Sequence, residues 1–152
     1  MTAPELEHVF TLSVALAEVI EVGQTARGLR RVIPITGGTV DGPRLQGTVL
    51  AGGADSQFIR GDGVTELDAR YVVESLTGER VYIENAGYRT ASAEDVDRLT
   101  RGEPVDPARV YFRTTPRFET AAPSLQWLTS TVFVAVGERD PDAVRIAVYA
   151  VR

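Results

Sequence analysis

The sequence predicts an all-β, mainly antiparallel protein: a single β-barrel of about eight strands with one short accessory helix near residues 93–101. Three observations carry this. Apolar residues recur with period two along most of the chain, as on strands that bury one face. Gly, Pro and Asp turns separate these stretches. Nowhere do strands alternate with helices, as a parallel sheet requires. A length of 152 residues, 43% hydrophobic and 24% charged, suits one globular domain spanning the whole chain, residues 1–152.

The elements follow in order. Phe10, Leu12, Val14 and Leu16 alternate with Thr11, Ser13, Ala15 and Ala17, the pattern of a strand with one strongly apolar face. Arg30–Thr36 reads as a second strand closed by Gly37 and Gly38, and Leu45–Leu50 as a third ending at Gly52 and Gly53. Val64–Leu76 is long and rich in strand formers. Thr77 and Gly78 turn it directly into Glu79–Ala86, the clearest hairpin in the chain. Arg109–Thr114, Leu125–Val136 and Val144–Val151 complete the set, the last two joined by a turn over residues 138–142. The helix has Ser92 as N-cap, Glu94 and Asp95 in its first turn, Val96 and Leu99 on one face, and Gly102 then Pro104 to end it. One short helix among so many strands suits a plug or flap on a barrel or sandwich.

Composition narrows the chemistry. There is no Cys, a single His (His8), and all 16 basic residues are Arg. Thiolate catalysis, disulfides, Cys-ligated metals, multi-His metal sites, Schiff bases and Walker-type phosphate loops are excluded. A Ser-His-Asp triad would have to use His8, close to the N-terminus. What remains is Asp, Glu, Arg, Tyr, Ser and Thr, so no cofactor is expected. A net charge of −5, with 21 acids against 16 bases, argues against a nucleic-acid partner. No apolar run approaches a membrane span and no signal-like segment opens the chain, so no membrane partner is expected and the cytoplasm is the default setting.

Candidate site residues come from strand faces. Glu66, Asp68, Arg70 and Glu74 share one face of the Val64–Leu76 strand, with Leu67, Ala69, Tyr71 and Val73 on the other. A carboxylate two residues from a guanidinium can shuttle a proton or bind a small anion, although a solvated outer face has the same pattern. Asp55 follows Gly52 and Gly53, where backbone approaches a ligand closely, or where a turn Asp satisfies local amides. Arg113 shares a face with Tyr111 and can take a carboxylate or enolate oxygen, or an ion pair with Glu119 or Glu84. Trp127 can wall a ligand or pack in the core. Tyr82 and Glu84 point away from the apolar face of the hairpin.

The ordered set PITGG (34–38), GGAD (52–55), LDARY (67–71), NAGYR (85–89), VYFRTTPRFE (110–119) and WL (127–128) resembles the DUF3237, or UPF0311, family from about Phe10 to Arg152. The resemblance implies a small β-barrel and leaves the activity open. Ser56 and Thr129 stand where the family pattern leads us to expect Trp and Asn, which implies a wider, less aromatic pocket if those positions line it.

Together these readings point to a cofactor-independent isomerase, cyclase or lyase acting on a small, mostly apolar organic molecule in a barrel cavity. Asp68 or Asp55 would be the general acid/base. Arg70 and Arg113 would hold an oxyanion, and Tyr111, Trp127, Glu84 and Tyr82 would line the ligand. The alternatives are a binding barrel without turnover and a dimeric interaction module. Stretches around 14–20 and 132–136 are apolar on both faces, so a homodimer is expected. Light scattering at high micromolar concentration should give twice the 16.5 kDa chain mass; a monomer mass contradicts it.

Overall fold

The computed structural model describes residues 1–152 and contains ten strands in one hydrogen-bonded sheet. In chain order they are β1 (Leu6–Leu16), β2 (Ile20–Thr25), β3 (Gly28–Asp41), β4 (Gly47–Val49), β5 (Ala54–Ile59), β6 (Thr65–Ser75) and β7 (Arg80–Thr90). Helix α1 (Ala93–Thr100) follows, then β8 (Tyr111–Thr120), β9 (Phe133–Arg139) and β10 (Ala143–Val151). Two 3-10 turns, Pro107–Arg109 and Pro123–Thr129, flank β8.

Every pairing is antiparallel. The C-terminal half of β3 pairs with β1 and β4, its N-terminal half with β2 and β5. Thus β1 with β2, and β4 with β5, each act as one broken stave. With β3, β6, β7, β8, β9 and β10 they make a closed eight-stave barrel. Closure leaves each side chain facing either inward or outward.

One end of the interior is apolar. Val9, Phe10, Leu12, Val73, Val81, Phe118, Phe133 and Val148 are buried there. Phe118 meets both Phe10 and Phe133 edge-on, with centroids 5.8 and 5.0 Å apart. Leu125 and Leu128 add their side chains to this core.

Several boundaries differ from the sequence expectation. β2 and β5 are strands over residues that the sequence reading did not assign to any strand. β3 does not stop at Gly37 and Gly38 but runs through both to Asp41. Both glycines hold positive φ, and at Gly38 the β1 backbone comes close enough that a Cβ would run into the Ser13 carbonyl. The stretch Leu125–Thr129 is a 3-10 turn rather than the start of a strand, because Pro123 begins it and Leu125 and Leu128, three apart, both turn inward.

Helix α1 lies where expected. Ser92 Oγ accepts from the Asp95 N–H (3.1 Å). Asp95 is buried and takes Arg109 Nη2 at 2.6 Å and Arg98 Nη1 at 3.1 Å; the Arg109 hydrogen bond holds its carboxyl below the usual range. Leu99 is buried, and the Thr100 carbonyl accepts from Arg31 Nη2 (3.0 Å). No helix is long and apolar enough to cross a membrane.

Gly38→Ala should therefore strain the β1–β3 seam that closes the barrel, costing about 2–3 kcal/mol. Denaturant titration checks it, and an unchanged midpoint contradicts the account.

Candidate functional site

The end of the interior opposite the aromatic core is polar. It arises where strand alternation carries polar residues onto the inward face. On β5, Asp55 and Gln57 stand opposite Ile33 and Arg31 of β3. On β7, Val81 and Ile83 are followed in the same phase by Asn85, Gly87 and Arg89; on β8, Thr114 lies between Phe112 and Pro116. Of these, Asp55, Gln57, Asn85, Arg89, Phe112 and Thr114, with Tyr71 and Arg139, line a cavity of about 50 Å³. The rest of its wall is apolar and includes Val14, Leu16, Ile33, Ile35 and Val144.

Asp55 sits at the end of a fixed relay. Arg31, 2% exposed, donates Nε to Glu21 Oε1 (2.9 Å), Nη2 to the Thr100 carbonyl and Nη1 to Gln57 Oε1 (3.3 Å). A guanidinium only donates, so the Gln57 oxygen must face it and the Gln57 NH₂ must face away. That NH₂ donates to Asp55 Oδ2 (2.9 Å). The other oxygen, Oδ1, accepts the Asp68 backbone N–H (3.2 Å), at the gap in the β5–β6 ladder between the Asp55–Ala69 and Phe58–Glu66 pairs. Each carboxyl oxygen is thus oriented yet keeps a lone-pair direction free.

Burial pushes the Asp55 pKa up. Hydrogen bonds from Gln57 and Asp68 and the charge of Arg89 oppose the shift without cancelling it. The guanidinium of Arg89, a residue 4% exposed, makes no hydrogen bond or ion pair within the protein. Burial, with Arg139 and Arg31 nearby, lowers its pKa to about 10, so it stays cationic at neutral pH. Burial also pulls Arg139 down and Tyr71 up, which keeps the Tyr71 hydroxyl protonated. Tyr71 Oη, Asn85 Oδ1 and Thr114 Oγ1 are buried without a partner. The arrangement is one oriented carboxyl in a cavity with the Arg89 guanidinium and the Tyr71 and Thr114 hydroxyls as donors and Asn85 Oδ1 as an acceptor, suited to moving a proton on a bound molecule.

Of the residues singled out from sequence, Asp55 lines this cavity. Asp68 and Arg70 do not, which corrects their expected placement. The face carrying Leu67, Ala69, Tyr71 and Val73 is the inward one, so Asp68 and Arg70 stand outside, about half exposed. There they form a ladder with Glu84: Arg70 lies 3.4 Å from Asp68 and 3.8 Å from Glu84. Tyr82 and Glu84 border a surface cleft with Pro116 and Thr131. Tyr111 is exposed, and the Arg113 guanidinium lies 5.4 Å from its ring. Trp127 packs on Phe133 in the aromatic core, with Arg44 stacked 4.1 Å from its ring. Ser56 lines an outer groove, and Thr129 caps its own turn by donating to the Gln126 carbonyl (2.8 Å). Neither widens the cavity.

Sequence reasoning missed Gln57, Asn85, Arg89 and Thr114. Asn85, Arg89 and Thr114 are polar residues in phase with the apolar face of their own strands, and that was the available signal; Gln57, in phase with Asp55 on a strand with no clear apolar face, carried none. No three His, Cys, Asp or Glu side chains are grouped to hold a metal ion.

A closed antiparallel barrel with an apolar plug at one end and a polar, carboxyl-bearing cavity at the other defines a small pocket-bearing barrel protein. The chain belongs to the DUF3237 family, described as a protein of unknown function, which matches residues 4–151. It is 46% identical to UPF0311 protein RPA1785 of Rhodopseudomonas palustris over 147 residues, 97% of this chain and 96% of that one. The crystal structure of the conserved protein RPA1785 superposes with a TM-score of 0.94 at 44% identity, covering 100% and 99% of the two chains. The hydroalkoxylation enzyme phnH of Penicillium herquei is 30% identical over 83 residues, 54% of each chain. The crystal structure of an enzyme from Penicillium herquei shares the fold, with a TM-score of 0.76 at 18% identity over 100% and 97% of the chains.

The raised Asp55 pKa has a sign that can be tested. Folding favours the protonated carboxyl, so this stabilisation is present below the ordinary Asp value of 3.8 and is lost as pH rises through the higher folded value. Asp55→Asn should remove that decline and leave the protein more stable than wild type at neutral pH. Unfolding curves from pH 4 to 8 that run parallel for the two proteins would contradict it.

Proposed function

We propose that the chain is a cofactor-independent enzyme of the isomerase, cyclase or lyase class, with Asp55 as its proton-transfer group. The supporting observation is the Asp55 carboxyl, aimed into a mostly apolar cavity, oriented on both oxygens and shifted toward its protonated form. The partial similarity to a hydroalkoxylation enzyme suggests one such reaction, the addition of a hydroxyl across an alkene within one molecule. Protonated Asp55 gives its proton to one alkene carbon. The hydroxyl oxygen bonds to the other, and its proton returns to the Asp55 carboxylate. The product is an isomer of the substrate, so nothing else is consumed.

Size limits what enters. A benzene ring occupies a cavity of about 150 Å³, well above the roughly 50 Å³ here. The reacting end of a substrate therefore inserts while its body extends past the partly exposed lining residues Leu16, Val144 and Arg139.

A panel of 2-allylphenols, with and without a carboxylate substituent, incubated in D₂O tests the reading. Wild type should form cyclic ether with one deuterium on the protonated carbon. Asp55→Asn should slow this by about 10²–10⁴-fold, whereas Asp68→Asn, on the outer face, should stay within about twofold. Equal rates in wild type and Asp55→Asn would sink the proposal. Binding by wild type without product or deuterium incorporation favours a carrier barrel.

A further inference from the structure

Arg89 has no part in the orientation of Asp55, and no hydrogen bond or ion pair within the protein holds its guanidinium; Asp55 acts on it only through its charge. Buried guanidinium groups are ordinarily held by carboxylates or carbonyls. Arg31, its neighbour, shows this arrangement with Glu21, Gln57 and the Thr100 carbonyl. Arg89 sits 4% exposed on the cavity wall with no acceptor. Arg139 lies half-buried beside it, also without an ion pair, on the wall shared with Phe112 and α1. The acid closest to them in effect is Asp55, whose carboxyl is already engaged by Gln57 and the Asp68 amide.

We propose that Arg89 and Arg139 form an oxyanion subsite, and that the molecule this cavity takes is a small organic carboxylate. The planar fork of Arg89 matches the two oxygens of a carboxylate. The Thr114 and Tyr71 hydroxyls, buried without partners, can donate to the same carboxylate. Val14, Ile33, Ile35 and Val144 receive its apolar part. The concentration of unpaired Arg inside a chain of net charge −5 shows that this polarity does not follow the general surface charge. The inference rests on the cavity being a substrate site but does not require Asp55 to move a proton.

Crotonate and crotonamide, alike in shape and different in charge, are the probes. NMR titration of the folded protein should show saturable crotonate binding, with crotonamide at least about tenfold weaker. Arg89→Gln should weaken crotonate by about 10- to 100-fold and abolish the preference, while its Tm stays equal to or above that of wild type because an unpaired buried charge is gone. Should Arg89→Gln not fold, Arg139→Gln at the cavity mouth must still lower crotonate affinity several-fold. Asp55→Asn should bind crotonate at least as tightly as wild type, so loss of turnover and loss of anion binding are read separately. Equal affinity for the two probes, no saturable crotonate binding by wild type, or unchanged crotonate affinity in the arginine variants overturns the subsite.

Discussion

The fold depends on what β3 is paired with. Its fourteen residues hydrogen-bond to β1 and β4 over one half and to β2 and β5 over the other. Its pairing with β1, from Thr11 opposite Asp41 to Leu16 opposite Ile35, turns an open sheet into a barrel. Closure removes the long free edges that an open sheet would expose. It also fixes the inside of every stave, because a slip of one residue would exchange all inward and outward side chains. The same register that buries Ile33 and Ile35 places Asp55 and Gln57 against the cavity.

That constraint explains how an apolar interior tolerates a polar end. Arg31 is fully engaged, and its engagement fixes Gln57 and through it Asp55. Arg89, Asn85, Thr114 and Tyr71 are not engaged in this way. Buried polar groups without partners cost about 1–3 kcal/mol each. A cluster of this kind persists where the surrounding core offsets it, and such clusters mark functional sites more often than structural ones.

How much of this was legible in the sequence differs by residue. Period two located most of the staves, and Ser92, Glu94 and Gly102 located α1 within a residue. Asp55 stood out through the glycines before it, although its strand did not, because Gly52 and Gly53 resemble a turn. The two faces of β6 were separated correctly, but choosing Asp68 and Arg70 for the site ran against the more apolar face of Leu67, Ala69, Tyr71 and Val73, which closure turns inward. Asn85 and Arg89 continue the phase of Val81 and Ile83 and so were readable as inward polar residues. Arg139 was not, since it lies in a run of Glu, Arg, Asp and Pro that resembles any exposed turn. The 3-10 turn that carries Trp127 escaped for another reason: Leu125 and Leu128 fit such a turn and an irregular strand equally well until tertiary contacts decide between them.

The two ends of the barrel have complementary duties. The end filled by Phe10, Phe118 and Phe133 and plugged by Leu125 and Leu128 is packed with buried apolar side chains, its rings meeting edge-on. The other end is bordered by α1, tethered through the Arg31 contact to Thr100 and the buried Leu99. Between β8 and β9 only Arg113 with Val136 and Thr114 with Ala135 are paired, so the wall is thinnest beside Thr114. Chemistry placed near the aromatic plug would have to displace core side chains at about 2–5 kcal/mol each. Placed between α1 and Thr114, it meets donors already held by paired strands. Such a site can stabilise developing negative charge without reorganising its own dipoles.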